Sequence, residues 1–99
     1  MSEITRKDVV NLDVSIAQFL VPRLIVLKEE DDSIPVFDKI EYKKTGKQIE
    51  LTRTDWQDIL QEMIDGFNEK ASKEDYEVDG NKVGRALELF AAYYSDLWI

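Results

Sequence analysis

Thr54-Asp55-Trp56-Gln57-Asp58-Ile59-Leu60-Gln61-Glu62-Met63-Ile64-Asp65-Gly66-Phe67 is the stretch whose reading decides the fold of this chain. Trp56, Ile59, Leu60, Met63, Ile64 and Phe67 fall at i, i+3, i+4, i+7, i+8 and i+11. A helix of 3.6 residues per turn gathers all six on one face. Thr54 with Gln57 matches a capping box, and Asp55 suits the positive start of a helix. The spacing predicts a helix running to about residue 71. Gly66 costs about 1 kcal/mol against Ala inside a helix. It reads either as a point of close approach for another helix or as simply tolerated.

Outward from this element, Leu12, Ile16, Phe19, Leu20, Leu24 and Leu27 recur at helical spacing and predict a first helix over about 12–30. Asn11, Asp13 and Ser15 offer caps, and Ser15 with Gln18 makes a second capping-box pattern. Pro22 lies inside this helix and predicts a kink, or two abutting pieces. The acids Glu29-Glu30-Asp31-Asp32 oppose the negative end of the helix and set a stop near residues 28–31. A last helix is expected from about Asn81 to Leu97. There Val83, Leu87, Phe90, Tyr94 and Leu97 follow a 4-3-4-3 spacing that suits antiparallel packing on the Trp56 helix, or pairing across a dimer.

Between the first two helices, Lys39-Ile40-Glu41-Tyr42-Lys43 and Gln48-Ile49-Glu50-Leu51 alternate apolar and polar around Lys44-Thr45-Gly46-Lys47. The alternation predicts a β-hairpin. The expected fold is therefore mainly α: a three-helix domain, its first helix kinked at Pro22, with a small β-hairpin inserted over residues 34–51. Residues 1–99 make one domain, and 1–10 are expected to be flexible.

Composition narrows the function. The 99 residues contain no histidine and no cysteine. The usual general base, the thiolate nucleophile and the common zinc ligands are thus missing. Carboxylate pairs, a Ser–Lys arrangement or an all-oxygen metal site remain, and no tight motif marks any of them. Asp31-Asp32 and Glu74-Asp75 have no EF-hand pattern around them. No catalytic residue, metal or cofactor is assigned, and the chain reads as a binding protein rather than an enzyme. No signal peptide and no membrane span is read.

Net charge is −8. Residues 55–99 hold 11 acids against 4 bases, and residues 34–54 hold 3 acids against 5 bases. Direct nucleic-acid binding is not expected of so acidic a C-terminal half.

Three constellations are candidates for binding. Asp55, Asp58, Glu62, Asp65 and Glu69, at steps of 3, 4, 3 and 4, form an acidic row of roughly 21 Å on one helix face. Such a row could mimic a phosphate backbone and occupy a basic groove of a protein partner. Its plainer reading is the solvated face of an amphipathic helix. Arg23 and Lys28, with Trp56 or the lysines of the middle segment, could hold a phosphorylated small molecule. The plainer reading there is a structural bend with Arg23 paired to an acid. Tyr94 and Trp98 could serve a homo-oligomer interface, because a Trp in the last turns of a small domain is hard to bury alone.

Leu12-Asp13-Val14-Ser15-Ile16-Ala17-Gln18-Phe19-Leu20-Val21-Pro22-Arg23-Leu24, then Trp56-Gln57-Asp58-Ile59-Leu60, and Leu87-Glu88-Leu89-Phe90 to Tyr93 with Leu97-Trp98 carry a resemblance. Together they resemble a family of small bacteriophage and prophage accessory proteins. Its pattern is an IAxF–x–x–PRL helix, a Trp-led amphipathic helix and a C-terminal LF…Y…LW helix. The chain departs from that pattern at Ile34–Glu50, where the family has a short Gly/Pro loop. The resemblance implies a phage protein in the bacterial host cytoplasm and brings no catalytic residues.

The expectation that follows is a phage-encoded inhibitor that binds a host defence factor stoichiometrically, in the manner of an anti-CRISPR protein. Its target would be a nucleic-acid-binding effector met through the acidic row. Two alternatives stand beside it. One is an oligomeric sponge for a nucleotide immune signal. The other is a structural or assembly protein of the virion.

Overall fold

A computed structural model describes residues 4–30 and 34–98. Four α-helices follow in order: α1 (Leu12–Glu30), α2 (Lys39–Thr45), α3 (Arg53–Ser72) and α4 (Gly80–Tyr93). Short 3₁₀ turns form at Arg6–Val9, Asp75–Glu77 and Tyr94–Asp96. The Arg6–Val9 turn gives part of the region expected to be flexible a regular conformation.

α3 is the central element. α1 and α4 are the two helices packed most extensively on it. Lys70 meets Asp13 at 2.8 Å and Lys28 donates to Gln61 at 2.7 Å, so α1 runs antiparallel to α3. Trp56 meets Tyr93, and Arg85 meets Glu62 at 2.9 Å, so α4 is antiparallel to α3 as well. α3 starts as its sequence dictates, but one threonine earlier than expected. Thr52 is the N-cap, its hydroxyl accepts from the Asp55 N–H, and the Asp55 carboxylate accepts from the Thr52 N–H. The Thr52 N–H, and after it the Thr52 hydroxyl, favour the ionised carboxylate and hold the Asp55 pKa below its ordinary value.

The core is the Trp56 face of α3. Trp56, Leu60, Met63, Ile64 and Phe67 are buried, and Ile59 is packed against them. α1 contributes Ala17 and Leu24, and α4 contributes Ala86, Leu89 and Tyr93. Gly66 is where α3 and α4 come closest. A Cβ built there would fall inside van der Waals contact with the Lys82 carbonyl oxygen and the Ala86 methyl. The glycine that weakens an isolated helix thus permits the helix pair.

The hairpin expected at 34–51 does not form. Among the described residues there is no strand, only one isolated antiparallel bridge between Phe37 and Glu50. Asp38 N–H donates to the Ile49 carbonyl at 2.8 Å, and Leu51 N–H to the Val36 carbonyl at 3.3 Å. These arms flank α2 and bring its two ends together. Asp38 caps α2 by accepting from the Glu41 N–H, and Gly46 closes it in the left-handed region at φ 74°. Asp38-x-x-Glu41 and Gly46 are therefore helix start and stop signals. Over five residues, the Lys39–Lys43 alternation could not separate a strand from two turns of helix.

α1 ends at Glu30, within the expected stop, and runs as one helix through Pro22. Asp31 and Asp32, considered above for cation binding, lie outside the described residues. The Ser15–Gln18 pair does not cap α1. Asn11, at φ 54°, precedes the helix instead, and its carbonyl accepts from the Ser15 N–H.

Candidate protein-interaction surface

α1 is apolar on more than one side. From Val14 to Leu27 its sequence holds a single charged residue, Arg23. At 100° per residue, Ala17, Leu20, Val21, Leu24 and Leu27 share one side, which packs toward the core. Leu12, Ile16, Phe19, Arg23 and Val26 fall on another, at steps of 4, 3, 4 and 3. The four apolar members of this outer row are 46%, 49%, 56% and 52% exposed. Leu12, Ile16 and Phe19 also belong to the period that predicted this helix. Their spacing is helical, but the core covers the neighbouring side.

Arg23 lies along the row and is not aimed away from it. Its guanidinium carbon stands 3.7 Å from the centroid of the Phe19 ring, and Nη1 donates to the Phe19 carbonyl at 2.9 Å. The cation therefore rests on an aromatic face of its own helix, an arrangement that favours Arg over Lys. Beside the row, Pro22, Val26 and Leu27 line a groove closed on its other side by Leu97 and Trp98. Trp98 is 61% exposed, and Tyr94, edge-on to Phe90 at 5.5 Å, is exposed as well. The two residues expected at an oligomer interface are thus both at the surface, with Trp98 next to the outer row of α1.

The anion site considered for Arg23, Lys28 and Trp56 is not assembled. Arg23 and Lys28 lie about 140° apart around α1. Lys28 turns to Gln61 of α3, and Trp56 is buried against Tyr93 with ring centroids 5.4 Å apart. Of the middle-segment lysines, Lys39 is ion-paired with Asp96. Lys43 and Lys44 border a shallow groove between α2 and α4 that also contains Glu88.

The acidic row is present, but much of it is engaged within the fold. Asp55 closes the α3 cap. Glu62 pairs with Arg85, and Asp65 accepts from Gln61 at 2.8 Å. Glu69 is buried, because the connector from Lys73 to Asp79 crosses over it. Its carboxylate accepts from Lys73 Nζ and from the Asp79 N–H, each at 3.0 Å, and these bonds hold its pKa down. Asp58 is exposed on α3. The row is therefore partly the means by which α3 holds α4 and the connector.

Tyr93 has a structural role that the sequence does not mark. Its hydroxyl accepts from the Lys39 N–H at 2.9 Å and donates to Asp38 at 3.4 Å, which pins the start of α2 onto α4. Burial pushes its pKa up.

Among the described residues no group of His, Cys, Asp and Glu could hold a metal ion, and no helix is long and apolar enough to cross a membrane. Comparison of the chain with protein-family models, with curated proteins and with solved structures returns no match.

Proposed function

We propose that this chain is a non-enzymatic binding protein that acts by protein–protein association, with the outer face of α1 as its associating surface. The observation that carries this reading is the row Leu12, Ile16, Phe19 and Val26, about half exposed along a helix with one charge in its central fourteen residues. A helix that is apolar all round is ordinarily buried, and α3 covers only one side of this one. Exposed apolar surface of this extent marks an interaction site.

The resemblance to phage accessory proteins supplies the setting of the proposal: a bacterial host factor bound and inhibited by occupancy. The acidic row takes second place, because Asp55, Glu62, Asp65 and Glu69 already serve intramolecular bonds.

The test is affinity purification of tagged chain from phage-infected bacteria, comparing wild type, Phe19→Glu, and a variant with Asp55, Asp58, Glu62 and Asp65 changed to their amides. The expected result is loss of captured protein with Phe19→Glu and retention with the amide variant. Unchanged capture by Phe19→Glu refutes the α1 reading. Loss with the amide variant alone returns the function to the acidic row.

A further inference from the structure

Resting on the reading of α1 as the associating surface, we infer that the occupant of that surface in the free protein is a second copy of this chain, paired antiparallel through α1.

Three observations select a second copy. The first is the symmetry of the row. Leu12 and Val26 each lie seven residues from Phe19, so a two-fold axis near Phe19 sets Leu12 of one copy against Val26 of the other. A 4-3-4-3 row, here apolar except for Arg23, is the seam that two helices share in coiled-coil packing, and a closed two-fold pair uses the same patch twice. Ser15 and Pro22, beside the row, are small enough to let the backbones approach.

The second is charge. Each copy carries −8, and 11 of its 21 acids lie in residues 55–99. Two such chains repel overall, with residues 34–54, at 3 acids against 5 bases, the exception. The central stretch of α1 is the surface with least to repel, and its single cation lies over the Phe19 ring.

The third is area. From their fractional exposures, Leu12, Ile16, Phe19, Val26 and Trp98 leave on the order of 600 Å² uncovered per chain, at the top of the range for the largest patch on an ordinary monomer. Two copies would bury about 1,200 Å², where stable specific interfaces begin. A different protein would need a complementary groove, whereas the second copy supplies this row by symmetry.

The experiment is sedimentation of the purified chain over a micromolar concentration series, at low and high salt. Wild type is expected at twice its 11.5 kDa mass. Its dissociation constant is expected to fall as salt rises, because screening relieves the repulsion between two acidic chains while leaving the apolar seam intact. Phe19→Glu and Val26→Glu are expected to weaken the dimer at least tenfold while keeping the helical circular-dichroism signal. Both side chains are about half exposed in the single chain, so folding does not depend on them. Ile25→Glu, on the side of α1 away from the row, is expected to leave the dimer intact.

A monomer at every concentration overturns the inference, as does a dimer that Phe19→Glu and Val26→Glu leave untouched. The proposed function fails separately. A monomeric wild type whose protein capture is lost with Phe19→Glu sinks the dimer and leaves α1 as the associating surface for another protein. If Phe19→Glu changes neither mass nor capture, both fall.

Discussion

Changing Gly66 to Ala tests the packing of α3 on α4, because two well-founded effects oppose one another there. In a solvated helix the change stabilises by about 1 kcal/mol, since alanine loses less backbone entropy. In this protein the new methyl would meet the Lys82 carbonyl oxygen and the Ala86 methyl well inside contact distance. Neither neighbour is the free end of a flexible side chain, so neither can swing away. The helices would have to part by roughly an ångström, loosening a close-packed interface that includes the Trp56–Tyr93 and Phe67–Phe90 contacts.

Overpacking a core by one methyl costs about 1–3 kcal/mol, and a backbone neighbour places this case at the upper end. Set against the gain in propensity, the net destabilisation is about 2 kcal/mol. For a domain of this size that lowers Tm by about 8–16 °C. Gly84 provides the internal control. It lies inside α4 with nothing within 4 Å of the position a Cβ would take. Gly84→Ala should therefore stabilise by up to about 1 kcal/mol and raise Tm by about 4–8 °C. Thermal and urea unfolding of both variants decides the matter. A Gly66→Ala protein as stable as wild type would refute the close approach of α3 and α4. Adding Ala86→Gly should return part of the loss, because it removes one of the two clashing groups.

Thr52→Ala removes the hydroxyl half of the α3 cap and should cost about 1 kcal/mol in urea unfolding; no loss would argue against Thr52 as the cap. Tyr93→Phe removes the acceptor of the Lys39 N–H and should cost about 1–2 kcal/mol, with hydrogen exchange rising at the start of α2. Unchanged exchange there would contradict the Tyr93–Lys39 bond. For Glu69, bonds from Lys73 and Asp79 favour the carboxylate, so its folded pKa lies below its unfolded value, ordinarily 4.5. That contribution is fully present above the unfolded pKa and is lost as pH falls through the folded one. Wild type should thus lose more stability than Glu69→Gln between about pH 5 and pH 3, and equal slopes would show that Glu69 is not so held.

Much of the helical architecture is legible in the residues themselves. Trp56 to Phe67 repeats over three turns, which is long enough for the 3.6-residue period to stand apart from any other. α1 and α4 follow from repeats of the same kind, and their limits near residues 12, 30 and 80 come from local capping and charge. Lys39–Lys43 was misread because alternation and helix period agree over so short a span. Of the decisive signals, Gly46 after it was read as a turn residue, and Asp38 before it was passed over.

The identity of the buried faces was not legible. α1 and α4 carry apolar residues in more directions than one core can cover. Of the residues whose period predicted the helices, Leu12, Ile16 and Phe19 on α1 and Leu87 and Tyr94 on α4 are exposed. Which side is covered depends on how α1 and α4 lie on α3, and that is set by contacts far apart in the chain. Gly66 against Ala86, Lys70 against Asp13, and Tyr93 against Lys39 join residues 20 to 57 positions apart. The candidate surface could not be seen for the same reason, since it is the apolar side of α1 that packing leaves uncovered. The sequence by itself determined that the chain forms amphipathic helices capped where they are and lacks histidine and cysteine, because those properties are local or compositional. Only the tertiary structure decided that the acids of α3 largely serve the fold and that the outer row of α1 faces solvent, because burial belongs to the packing of helices on one another.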